Sequence, residues 1–301
     1  MELRQLQYFV AVVEEGGFTR AAARLHLAQP GVSAQIRQLE RELGQRLLDR
    51  SGRSVTVTEV GGAVLGYARA ALAAVEGIRQ TVDEYAGLLR GRVAIGLLSG
   101  AVIGAFGVPS LLADFHDDHP QVEISLTEDT SERMLAALHD GALDIAVIGL
   151  AEEAPPPGVS LQMLIDVPLV VAVAPDDPLC ADPGRTGVPL SALRERPLIS
   201  LPRGTGLRGV LERACAEAGF RPRIAFEAAA PQVLAQLAAR GLGVAVIPEP
   251  PAAEESGLRT LQIIGAQPRG LVALAWRTEG PAGPAARALL ERLRSGLPAP
   301  R

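Results

Sequence analysis

The sequence predicts an α/β protein in three stretches: a winged helix-turn-helix at 1–58, a linker helix at 59–89 and two α/β subdomains over 91–301. Three observations predict it. Two short helical patterns meet at an unhelical break, Ala28-Gln29-Pro30. A strict heptad pattern follows from Val64. Beyond residue 91, apolar strand patterns alternate with helical ones, which implies a parallel sheet covered on its faces.

The elements follow in order. Leu3, Leu6, Phe9 or Val10, and Val13 trace one helical face, which Gly16-Gly17 ends. A second helix starts near Phe18 and buries Phe18, Ala22 and Leu25. Gly17 is an acceptable cap for it, weaker than Ser. Val32, Ile36, Leu39 and Leu43 mark a third helix, and Pro30 suits its first turn, where a missing N–H costs nothing. A connection of about four residues between short helices is helix-turn-helix geometry. In RSGRSVTVT, Val55 and Val57 alternate with Thr56 and Thr58, as in a short strand after a Ser-Gly turn. That makes the unit winged.

Its DNA-reading candidates lie on the third helix and the wing. Gln29, Pro30, Ser33 and Arg37 occupy the outer face, where Ser and Gln can bond base edges. Arg50 and Arg53 flank the wing and suit phosphates or the minor groove. A solvated face with ordinary surface arginines is the bland alternative.

Val64, Ala68, Ala71, Val75, Ile78, Val82, Tyr85 and Leu89 repeat at alternating spacings of four and three. Thr58 caps this helix and Glu59 suits its positive end. So narrow an apolar stripe needs a partner. Packing on the chain's own C-terminal part is one reading. A parallel or antiparallel helix-pair dimer is preferred, because it also pairs DNA-reading helices at half-site spacing.

Strands are expected at 91–100, at both ends of 122–150, at 167–175, at the start of 196–220, at the end of 230–250 and at 270–276. Helices are expected from Glu132, after the glycine loop of 196–220, within 230–250, and from Pro284 to Arg294. Ligands in open α/β sheets sit beyond the carboxyl ends of strands. Three loops fit that position: Ser99-Gly100, Thr130-Ser131 and Pro202-Arg203-Gly204-Thr205. Helix capping and turn formation are their bland alternatives. Arg203 either pairs with a carboxylate ligand or is a surface residue.

Composition narrows the function classes. All 29 basic residues are arginines, and the formal charge is −5. Residues 1–58 carry a net of about +2 and the remainder about −7, so any nucleic-acid binding is local to the N-terminus. No apolar run is long enough for a membrane span. The first eighteen residues are no secretory signal, so a cytoplasmic protein is expected. Cys180 and Cys215 form no C-x-x-C pair and lack a thiolate-stabilising setting. Among the four histidines only His116 and His119 approach ligand spacing, and no metal or cofactor is expected. PRGTGLRG and ARGLGVAV lack the strand–GxGxxG–helix context of a dinucleotide site. No catalytic constellation can be placed. The competing class is a cytoplasmic small-molecule-binding protein or enzyme with a helical docking module. A transporter's solute-binding protein fits the α/β part alone.

The stretch LRQLQYFVAVVEEGGFTRAAARLHLAQPGVSAQIRQLERELGQRLLDR, with VTVTEVG opening the linker, resembles the DNA-binding part of LysR-type transcriptional regulators. Gly17 departs from that family's usual Ser. The resemblance extends more loosely over the rest. It implies an effector domain of periplasmic-binding-protein type, with subdomain one at 91–162 plus 267–301 and subdomain two at 163–266. It places a small organic inducer at the three loops; a carboxylate is the class expected, with Arg203 as its candidate partner. It also implies an interrupted inverted repeat in promoter DNA, a tetramer built as a dimer of dimers, and RNA polymerase as a further partner.

Overall fold

The computed structural model describes residues 1–51, 55–85, 89–98, 107–182, 184–249 and 257–297. Three helices open the chain: α1 Leu3–Glu15, α2 Phe18–Arg24 and α3 Gln29–Leu43. The N–H of Glu2 donates to Gln5 Oε1 at 2.8 Å and closes a capping box on α1. Gly16 and Gly44 end α1 and α3 in the left-handed conformation. Between α2 and α3 lie four residues. Pro30 sits in the first turn of α3, which Ala28 leads without a side-chain cap. Two short antiparallel strands, β1 Leu48–Asp49 and β2 Thr56–Val57, form the wing. The sequence pattern marks only the second of them. Phe9, Val12, Ile36, Leu39, Leu47 and Leu48 are the centre of this domain's core.

Helix α4 runs Glu59–Tyr85. Thr58 Oγ1 accepts the Gly61 N–H at 2.9 Å and donates to the Arg46 carbonyl at 2.8 Å, tying the helix start to the wing. The expected stripe is divided rather than uniform. Ala68 is buried in the N-terminal core, with Val64 and Ala71 packed against it. Val75 is half-buried, whereas Ile78 and Val82 are each 66% exposed. Leu89 lies past the helix and packs on the next domain's core, so it does not belong to the stripe. Tyr85 ends the helix, its side chain outside what is described.

Two lobes follow. Lobe one has sheet order β4-β3-β5-β12-β6, from β3 Gly91–Leu97, β4 Val122–Glu128, β5 Ile145–Leu150, β6 Val159–Val173 and β12 Arg269–Arg277. On β5, Ile145 and Val147 face α5 Val108–Asp118 and α9 Pro284–Gly296. Ala146, Ile148 and Leu150 face α6 Ser131–His139. Lobe two uses the far half of β6 with β7 Gly187–Pro189, β8 Leu198–Ser200, β9 Ile224–Glu227, β10 Val244–Pro248 and β11 Arg259–Ile264. Helices α7 Gly206–Glu217 and α8 Pro231–Ala239 cover its two faces.

Strand β6 is shared by the lobes. It pairs with β12 as far as Pro168 and with β10 from Leu169. The first crossing therefore falls at Pro168–Leu169 rather than at 162–163, because Met163–Pro168 remain in the first sheet. Pro168 sits where the strand changes partners, a position that tolerates a missing N–H. The return crossing lies between Ile264 and Arg269.

Candidate DNA-reading face and effector cleft

Buried Val32, Ile36 and Leu39 turn the opposite side of α3 to solvent. Gln29, Pro30 and Arg37 are exposed there, and Ser33 is half-buried. Ala34, Arg37, Arg41 and Arg46 line a groove beside that ridge, with Glu40 among them. Arg41 Nη2 donates to Gln38 Oε1 at 2.5 Å, and Gln38 Nε2 to Glu42 Oε1 at 2.9 Å, so these groups are engaged along the helix. Sequence reasoning missed Arg46, which lies past the end of α3 and comes to the groove only through the Gly44 turn. Arg53 lies outside the described residues.

Arg50 differs from the arginines of that groove. Its Nη2 pairs with Glu40 Oε2 at 2.7 Å, and its guanidinium carbon stands 5.0 Å from the centre of the Phe18 ring. Glu40 Oε1 accepts the N–H groups of Leu47 at 3.0 Å and Leu48 at 3.2 Å. No sequence motif marks Glu40, because its partners lie seven to ten residues away across the turn.

Two of the three predicted loops are described, and they meet across the lobes. The Glu132 N–H, at the start of α6, donates to the Gly204 carbonyl at 3.0 Å. Gly206 begins α7 against Gly149 on β5: a Cβ there would lie 2.3 Å from the Gly149 carbonyl carbon. Arg213 on α7 donates to the Ala151 carbonyl and pairs with Glu152 at 3.2 Å. The expected hydroxyls already have backbone partners. Thr130 Oγ1 accepts the Arg133 N–H at 3.5 Å. Ser131 is buried and accepts the Gly149 N–H at 3.0 Å. Thr205 donates to the Pro202 carbonyl at 2.7 Å and does not cap α7. Arg203 is exposed. Ser99 and Gly100 lie outside the described residues.

Sequence reasoning also missed Arg208, which is buried behind the loop. It donates to Glu212 at 2.7 Å, Glu227 at 2.9 Å and the Leu201 carbonyl at 3.3 Å. Cys215 is on the core side of the same helix. Burial, with Glu212 adding to it, pushes its thiol up to about 11. Among the described residues no cluster of His, Cys, Asp or Glu could hold a metal, and no helix is long and apolar enough to cross a membrane.

Residues 3–62 match the family model of the bacterial regulatory helix-turn-helix protein, lysR family, and residues 86–298 match the LysR substrate binding domain. The chain is 31% identical over 301 residues to the DNA-binding transcriptional dual regulator OxyR of Escherichia coli K12, covering 99% of this chain and 96% of that protein. It is 34% identical over 277 residues to a probable hydrogen peroxide-inducible genes activator of Mycobacterium avium, covering 91% and 87%. Full-length CbnR complexed with its target DNA superposes with a TM-score of 0.56 at 25% identity, over 98% of this chain and 100% of that one.

Proposed function

This chain belongs to the LysR family of bacterial transcriptional regulators, and on that footing we propose how its residues divide the work of reading DNA and sensing an effector. It is a sequence-specific DNA-binding regulator with an effector-responsive C-terminal domain. In our reading α3 enters the major groove, with Gln29, Pro30 and Ser33 at base edges. Arg37, Arg46 and Arg53 take phosphates. The single observation that carries this reading is the outward ridge of α3, polar at its N-terminal end and flanked by an arginine-lined groove. Target DNA is an interrupted inverted repeat in a promoter, bound in the cytoplasm by a dimer of dimers, with RNA polymerase as a further partner.

The effector is a small organic molecule seated between the lobes near Ser99, Gly100, Thr130, Ser131 and the 202–205 loop. A carboxylate suits the uncapped start of α7 and the neighbouring Arg203. Binding must favour one lobe arrangement over another to shift the equilibrium at all. Peroxide induction, as named for the Mycobacterium avium relative, is not extended to this chain. Sensing through cysteine needs an accessible thiolate; Cys215 is fully buried with its thiol pushed up, and Cys180 is half-buried.

The test is binding to DNA upstream of the chain's own gene, followed by fluorescence anisotropy across a salt series. Ser33→Ala should change base preference, at about 1–3 kcal/mol for a lost base contact. Arg37→Gln should weaken all duplexes alike and lower the salt slope by about 0.9. A wild-type chain with no preference for any duplex would refute the reading. Thermal-shift screening of small organic acids identifies the effector.

A further inference from the structure

A carboxylate on the flank of a DNA-reading helix is an electrostatic oddity, since like charges repel across the interface. Glu40 lies two turns after Ser33 and about one turn after Arg37, on the flank that bonds the wing. Its side chain is only 11% exposed at the edge of the groove, and both of its oxygens are hydrogen-bonded. One oxygen takes the two N–H groups that lead into β1, and the other takes Arg50. Arg50 is held a second time by the Phe18 ring of α2. The three elements that must keep a fixed relation for DNA reading therefore meet at one ion pair.

We propose that Glu40 and Arg50 are a positioning pair that sets the wing at its angle to α3, and that Arg50 does not serve as a phosphate contact. The inference rests on the DNA-reading assignment above. Each member is useful only while the other is present. Removing Arg50 leaves a poorly solvated carboxylate beside the groove, and removing the Glu40 charge frees the wing's anchor. The pair also offsets the negative charge that Glu40 would otherwise present to DNA.

The experiment uses the full-length chain and a duplex it selects from a random-sequence pool, with a scrambled duplex alongside. Failure of the wild type to select any sequence would refute DNA reading itself, separately from this inference. Glu40→Gln keeps an acceptor for the Leu47 and Leu48 N–H groups, and melting curves establish that each variant is folded. Glu40→Gln and Arg50→Gln should each weaken the selected duplex about tenfold, with the double variant no weaker than either single one. The scrambled duplex should be bound as before, and the salt slope should equal that of the wild type. Arg50→Lys keeps the charge and loses the planar stack, so it should weaken the selected duplex too. The proposal is overturned if Arg50→Gln lowers the salt slope by about 0.9 while Arg50→Lys binds like the wild type. It is overturned equally if Glu40→Gln, by freeing Arg50, tightens both duplexes.

Discussion

At the scale of single residues, a side chain's surroundings decide its role more than its type does. Cys215 has no exposed surface, and burial holds its thiol near 11, far above neutral pH. It should therefore stay reduced when the folded chain meets peroxide, because the thiolate is the reacting species. Mass spectrometry after brief treatment with dilute peroxide should find the Cys215 thiol intact and an unchanged DNA footprint. A Cys180–Cys215 disulfide with an altered footprint would reverse that conclusion. Helical spacing foretells which polar residues face outward, as for Gln29, Pro30 and Arg37, which are exposed. It does not reveal where a hydroxyl closes a local turn. Thr130, Ser131 and Thr205 were legible as polar loop residues, but their backbone partners come from folding, and the Gly149 N–H reaches Ser131 from a strand eighteen residues away. Glu40 and the Arg208–Glu227 pair were illegible for the same reason: their partners come together only in three dimensions.

Among the elements, those with a strong local period were readable and those set by pairing were not. The amphipathic faces of α1 and α3 follow from apolar spacing, and the end of α1 from Gly16. The wing strand β1 is two residues long and exists because β2 pairs with it. Strand β6 carries Asp166 and Pro168 mid-length, which break the apolar run at the point where it changes sheets. Asp166 is matched there by Arg269 on β12, a partner more than a hundred residues away. The contact between α7 and β5 gives a test at this scale. Only glycine fits at 206, since a Cβ would meet backbone atoms of Gly149 and Leu150 at 2.3 to 2.6 Å, and backbone cannot rotate aside. Gly206→Ala should force the lobes apart locally and cost about 1–3 kcal/mol, the usual range for overpacking. Thermal unfolding, together with small-angle scattering of the free chain, measures both effects. Stability and scattering that match the wild type would mean that the lobes do not close here in solution.

For the whole molecule, the open question is what covers α4. Val64, Ala68, Ala71, Val75, Ile78 and Val82 share one helical face, but the N-terminal domain covers only its beginning. Another face of α4 is committed to lobe one, where a Cβ on Gly77 would lie 3.0 Å from the Ala282 carbonyl oxygen. Ile78 and Val82 remain 66% exposed, and Tyr67 is 81% exposed on nearly the same side. Exposed apolar side chains that share one helix face mark an interaction surface. A second copy is the partner we expect, because DNA-reading domains of this kind act in pairs on half-sites. Ile78→Asp with Val82→Asp would place two unpaired carboxylates in that interface, at a cost of several kcal/mol once desolvated. In the free chain both positions face solvent, so folding should be nearly unaffected, within about 0.5 kcal/mol each. Analytical ultracentrifugation at micromolar concentration should show a smaller assembly with an unchanged melting profile. Affinity for a duplex carrying two half-sites should fall far more than affinity for a single half-site, because the second domain is no longer tethered at high effective concentration. A double variant that sediments like the wild type would show that α4 does not make the dimer, and that Ile78 and Val82 are covered by something other than a second copy.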